Sequence, residues 1–221
     1  MRRLLLQYLP LLFLLVFLPV TAQEHKAILY FLDGTDISGY ATLKFDKESF
    51  YGMPQDKIVF RVSKDEEADT WDEESVSKVV FTDFEFPRTF EYVEIKTFNV
   101  SEYYLLELLV SGEVNLYADA MEAWKMKPAK EDEGTLPIPD EKYLRVKRKN
   151  ETKLTAFGGS KRKIASYFYE CPGIIERLNS NVFNVRTLMD IVEYYNDLCD
   201  TEIADIESAR KKAEEDDQKG E

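Results

Sequence analysis

The period of the apolar residues changes once along this chain, and that change limits the folds open to it. From Lys26 to Phe157 the signals are those of strands and tight turns; from Gly158-Gly159 onward they are helical. Ile28 to Leu32 and Ile37 to Phe45 flank Asp33-Gly34, a hairpin signature, because glycine accepts the positive φ that a tight turn requires. Ile58 and Phe60 alternate within Lys57 to Val62, and Val76 to Phe81 reads as another strand. Tyr104 to Val110 and Val114 to Tyr117 pair around Ser111-Gly112, although Leu105-Leu106-Glu107-Leu108-Leu109 alone also suits a helix. A last hairpin joins Tyr143–Arg148 to Thr152–Phe157 around Asn150-Glu151. Asp65 to Glu74, interrupted by Trp71, reads as an acidic loop, and Lys127 to Asp140 as a second loop.

Beyond the glycines, Ser160 can cap a helix in which Ile164, Tyr167, Phe168 and Cys171 share one face. Pro172 suits the first turn of a second helix, and Asn184 caps a third whose apolar residues are Leu188, Ile191, Val192, Tyr195 and Leu198. The expected fold is α+β: a β-hairpin-rich roll or barrel-like body over residues 23–157, and a small helical cap over 158–199. Residues 200–221 form an acidic tail, a frayed helix or a disordered segment, with nine acids against four bases.

Residues 1–22 read as a signal peptide. Arg2 and Arg3 precede an unbroken apolar stretch from Leu11 to Leu18, and Val20-Thr21-Ala22 supplies short residues before a cleavage point at Gln23. A spanning helix needs about 20 apolar residues, and after cleavage the sequence holds no run of that length. The expected address is the periplasm, the cell surface or the medium. Cleavage takes the formal charge from −13 to −15, which argues against nucleic acid as a partner. Cys171 and Cys199 are the only cysteines. In an oxidising compartment they should pair as a structural staple between the ends of two helices, because redox pairs usually lie much closer in sequence.

Five stretches occur in an order that resembles a family of exported, functionally uncharacterised proteins common in Bacteroidota. They are the leader ending Thr21-Ala22-Gln23; Asp33 to Tyr40; Pro54 to Phe60; Leu105 to Tyr117; and Cys171-Pro172 through Ile191-Val192 to Tyr195-Asn196. The resemblance implies export and a shared architecture. It brings no catalytic residues and no cofactor.

Few constellations carry chemistry. His25 is the single histidine, two residues from the expected mature start on what should be a loose end, so a triad is disfavoured. A free terminus Gln23-Glu24-His25 matches the square-planar metal geometry of Cu(II) or Ni(II), which cyclisation of Gln23 would abolish. Carboxylates are plentiful, but no pair stands out for hydrolysis, and the acidic cluster at 65–74 lacks calcium-loop spacing. The most informative feature is basic. Lys142 to Lys163 holds nine cations against Glu151, a net of +8, which leaves −23 on the rest of the mature chain.

The candidate anion-binding residues are Arg145, Lys147, Arg148 and Lys149 on the hairpin, with Lys161, Arg162 and Lys163 at a helix start. Two readings stand. In one, the acidic loop or tail folds over these cations. In the other, they meet an anionic envelope lipid, a polysaccharide or an acidic protein partner. The function expected is a non-catalytic envelope protein that binds or scaffolds another component. The alternative is a carboxylate-dependent hydrolase acting on envelope material.

Overall fold

The computed structural model describes residues 23–45, 56–97, 100–126 and 139–199. The expected leader, the second loop and the acidic tail lie outside these residues, apart from Pro139 and Asp140 at the end of that loop. Nine antiparallel strands form one open sheet: β1 (His25–Phe31), β2 (Asp36–Lys44), β3 (Lys57–Arg61), β4 (Asp69–Trp71), β5 (Val76–Phe81), β6 (Arg88–Thr97), β7 (Val100–Val110), β8 (Val114–Asp119) and β9 (Leu144–Arg148). Their order is β4-β3-β2-β1-β5-β6-β7-β8-β9. Helix α1 (Ala120–Lys125) follows β8. Helices α2 (Lys161–Tyr167), α3 (Pro172–Asn179) and α4 (Leu188–Tyr194) make the cap, which ends in a π-helical turn, Tyr195–Cys199. This is the expected α+β arrangement, a β-rich body with a small helical cap.

The turn chemistry explains the hairpins. Asp33 Oδ1 accepts hydrogen bonds from the Thr35 amide (2.9 Å) and hydroxyl (2.6 Å), while Gly34 takes φ +88°. The Thr35 hydroxyl and amide also hold the Asp33 carboxyl below the usual carboxylate range. The expected caps are present: Ser160 Oγ accepts from the Lys163 amide, Pro172 opens α3, and Asn184 with Thr187 forms a capping box ahead of α4.

Alternation along each strand sorts the sheet into two faces. The inner face carries Leu29, Ala41, Ile58, Phe60, Val79, Phe81, Phe90, Leu105, Leu116 and Val146. These join Ile164, Phe168, Ile174, Leu178, Leu188, Ile191 and Val192 of the cap in one buried cluster. The sheet curls around this core far enough for the Tyr92 hydroxyl on β6 to reach the carbonyls of Asp56 (3.0 Å) and Trp71 (3.4 Å) near the far edge. The outer face holds only a small second cluster, Val93, Leu106 and Tyr117, flanked by Tyr104, Leu108 and Leu154.

Strand β6 and helix α1 were not among the expected elements, and three further segments depart from expectation. Asp69–Trp71 pairs with β3 as an edge strand instead of remaining loop, because Trp71 turns into the core and stacks edge-on against Phe31. Thr152–Phe157 makes a single bridge, Val146 to Thr155, and does not form a full partner for β9. It still shields that exposed edge, with Leu154 against the outer cluster and Phe157 in the inner core. Helix α2 stops at Tyr167, short of the expected face through Cys171, while Cys171 caps α3, at a helix start as the disulfide pairing expects.

Cys171 and Cys199 are bonded, with 5.5 Å between their Cα atoms, and both are fully buried. Closing a loop of this length contributes roughly 3–4 kcal/mol in the chain-entropy description. Asn196 adds a polar staple from the same turn. Its side chain accepts from the Val114 amide and donates to the Val114 carbonyl, both at 2.9 Å, as a neighbouring strand would. That approach requires Gly112, where a Cβ would collide with the Asn196 side chain. Asn196→Ala should therefore cost about 2 kcal/mol by orphaning two backbone groups. Gly112→Ala should cost at least as much. Urea denaturation of the two variants measures both losses.

Candidate anion-binding cleft on the outer face of the sheet

The basic hairpin is divided by its own alternation. On β9, Leu144 and Val146 are buried in the inner core, so Arg145 and Lys147 project to the outer face. Arg148 lies one step further and turns inward under the cap. Its guanidinium sits between the rings of Tyr167 and Tyr195, each centroid 4.9 Å away. It donates to the Tyr195 hydroxyl (2.6 Å), to the Tyr167 carbonyl (2.9 Å) and to the Glu170 carboxylate. Glu151 approaches it at 3.9 Å and accepts from the Tyr167 hydroxyl at 2.7 Å.

The other four expected cations take separate settings. Lys149 lies past the end of β9 and faces Glu113 at 3.9 Å. Lys161 donates to Asn181 at 2.9 Å. Arg162 and Lys163 are exposed at the start of a helix of only seven residues. The seven candidates therefore do not converge on one point. Arg148 is a structural tie, and only Arg145 and Lys147 share a strand face.

The acid that answers Arg148 is Glu170, and not the 65–74 segment. Within that segment, Asp72 pairs with Lys57 at 3.2 Å. Among the described residues no ion pair joins it to the basic hairpin. His25 is no loose end either. It is the first residue of β1, stacked on Phe84 at 4.4 Å and paired through Nδ1 with Asp83 at 3.2 Å. Among the described residues no cluster of three or more His, Cys, Asp or Glu is arranged to hold a metal.

Arg145 leads to a cleft of about 510 Å³ on the outer face, lined by Ile95, Tyr104, Leu106, Asp119, Tyr143, Arg145, Lys153 and Leu154. That volume is within the range of small-ligand sites, about 300–1,000 Å³. Arg145 is held by the carbonyls of Lys142 (2.6 Å) and Leu144 (2.9 Å), both through one terminal nitrogen. The rest of its planar fork is left to donate elsewhere. Asp119 Oδ1 caps α1 by accepting from the Glu122 amide at 3.2 Å. Tyr104 donates to Glu102 at 3.0 Å, and burial followed by that carboxylate raises its hydroxyl pKa. Asp119 supplies a carboxylate to the lining.

Reading the sequence isolates Arg145 but not Ile95, Tyr104, Asp119 or Tyr143. These come from four separate places in the chain, and only strand pairing from β6 to β9 brings them together. Comparison with protein-family profiles, curated proteins and solved structures gives no match.

Two outcomes are expected. Arg148→Ala should lower stability by about 2 kcal/mol, because it removes the donor to Glu170, the Tyr195 hydroxyl and the Tyr167 carbonyl. Arg162→Ala should stay within about 0.5 kcal/mol. Chemical denaturation separates them. The second outcome concerns alkali. Burial, reinforced by nearby carboxylates, raises the hydroxyl pKa of Tyr92, Tyr117 and Tyr167. The unfolded chain ionises these groups near 10, so their contribution is intact below that pH and falls as pH rises through it. The denaturation midpoint should therefore drop between about pH 10 and 12, and Tyr→Phe replacement at these positions should shrink the drop.

Proposed function

We propose that this is an exported, non-catalytic protein that binds an envelope component through an anionic group on that component. The observation that carries this reading is the split of the basic hairpin. Arg148 is consumed inside the fold, whereas Arg145 and Lys153 line an outer cleft with no carboxylate ion-paired to either among the described residues. Cations kept free on one face of an otherwise acidic chain attract an anion at short range, while the net charge repels anions at long range. Binding of this kind favours a local, oriented contact.

Export is supported by the leader pattern at residues 1–22 and by the Cys171–Cys199 disulfide, a bond that persists in oxidising compartments. No helix among the described residues is long and apolar enough to cross a membrane. The likeness to exported Bacteroidota proteins points the same way.

The test uses purified residues 23–221 titrated with acidic polysaccharide and with vesicles containing anionic lipid, across a salt series. Binding should weaken as salt rises. Joint replacement Arg145→Ala and Lys153→Ala should weaken it about tenfold, the loss of one or two charge-assisted contacts. Binding that is indifferent to salt and to both replacements would sink the proposal, as would no binding to either probe.

A further inference from the structure

The outer cleft holds a mixture that a plain anion site would avoid. Arg145 and Lys153 offer positive charge, yet Asp119 stands in the same lining. A carboxylate beside an incoming phosphate or sulfate ion costs binding through like-charge repulsion. It becomes useful when the ligand carries hydroxyl donors next to its charge, because an ionised carboxylate accepts hydrogen bonds and gives none. Asp119 is well placed for that role. Its Oδ1 is fixed by the cap of α1, which leaves Oδ2 to accept from a ligand.

The rest of the lining fits the same chemistry. Tyr104 and Tyr143 supply aromatic surface with hydroxyl tips, and Ile95, Leu106 and Leu154 supply a short apolar wall. Five of the eight lining residues carry polar side chains, a poor match for an acyl chain and a good one for a polyhydroxylated ring. Leu154 belongs to the segment that runs beside β9. The strap that carries Lys153 and Leu154 also reaches β6, where the Lys96 amide donates to the Thr152 carbonyl at 3.1 Å, so strap and β6–β7 pair both line the cleft.

We infer that this cleft binds an acidic sugar, a hydroxylated ring bearing a single carboxylate or phosphate. The anion meets Arg145 and Lys153, ring hydroxyls donate to Asp119, and the tyrosines pack against the ring. This rests on the binding role proposed above and names the ligand class for one part of that surface.

The experiment is amide chemical-shift titration of residues 23–221 with glucuronic acid, glucose 6-phosphate, glucose and inorganic phosphate. The two acidic sugars should shift resonances of Ile95, Tyr104, Asp119 and Leu154. Glucose and phosphate should each bind at least about tenfold more weakly, a difference of about 1.4 kcal/mol. Arg145→Ala should abolish the preference for charged sugars. Asp119→Asn keeps a helix cap, since asparagine also caps. It should weaken the acidic sugars while strengthening inorganic phosphate, a reversal that loss of folding would not produce.

Phosphate binding as tight as the acidic sugars, with Asp119→Asn neutral, would overturn the inference and leave a bare cationic patch. Polysaccharide or vesicle binding that survives while no monosaccharide shifts the cleft would overturn the inference alone. Failure of every probe would overturn the binding role with it.

Discussion

A single buried carboxylate decides how the middle of this sheet is assembled. Leu105-Leu106-Glu107-Leu108-Leu109 offers leucine to both faces of β7, so hydrophobic burial alone hardly distinguishes one register from its neighbour. Glu107 does. It faces inward and takes Arg88 in a two-point contact, Nε to Oε1 at 2.6 Å and Nη2 to Oε2 at 2.9 Å, with both side chains almost wholly buried. A one-residue slip would turn Glu107 outward and leave Arg88 charged and unpaired in the core, a loss of about 3–5 kcal/mol. Arg88 Nη2 also donates to the Ala123 carbonyl at 2.8 Å, so the same pair seats α1, and its guanidinium lies against Phe84, Phe90 and Trp124. Every strand from β6 to β9 takes its position from that choice, and so does the outer cleft, whose walls are spread over those strands.

The cleft and the core are opposite outcomes of one alternation. Leucines 105 and 109 lie with the inner core, and leucines 106 and 108 lie with the small outer cluster. The outer cluster is too small to cover its face, and Tyr117 meets that shortage with polar contacts: it donates to Glu91 at 2.7 Å and accepts from Asn115 at 2.9 Å. An apolar floor ringed by hydroxyls, one carboxylate and two cations is what remains. The helical cap has no counterpart on this side among the described residues.

Local chemistry was legible in the sequence, and long-range choices were not. Asp33-Gly34, Ser111-Gly112, Ser160, Pro172 and Asn184 each act within a few residues, and each does in the structure what its type and position imply. The cysteine pairing followed from the helical cap and the count of two. Strand β4 was hidden because seven acids share the 65–74 segment with its tryptophan, and acidic composition resembles loop whether or not a neighbouring strand stands ready to pair. Helix α1 is too short for periodicity to declare itself. The inward turn of Arg148 was also out of reach: strand parity separates it from Arg145, but the acid that claims it lies in the turn between α2 and α3. The site suffered the same limit, since Tyr104, Asp119 and Tyr143 carry no motif and acquire meaning only as neighbours.

The end of the cap also has a mechanical side. Within four residues, Asn196 is knitted to the backbone of β8 and Cys199 is bonded to the start of α3. Tension applied to the chain beyond Cys199 would arrive first at a covalent anchor, be shared with α3, and reach the Asn196–Val114 contacts only through a turn already pinned at its far end. The helices would not peel one by one from the sheet, as an unanchored terminal helix can. The cap is thus held to β8 and to itself as one unit rather than as three separate helices.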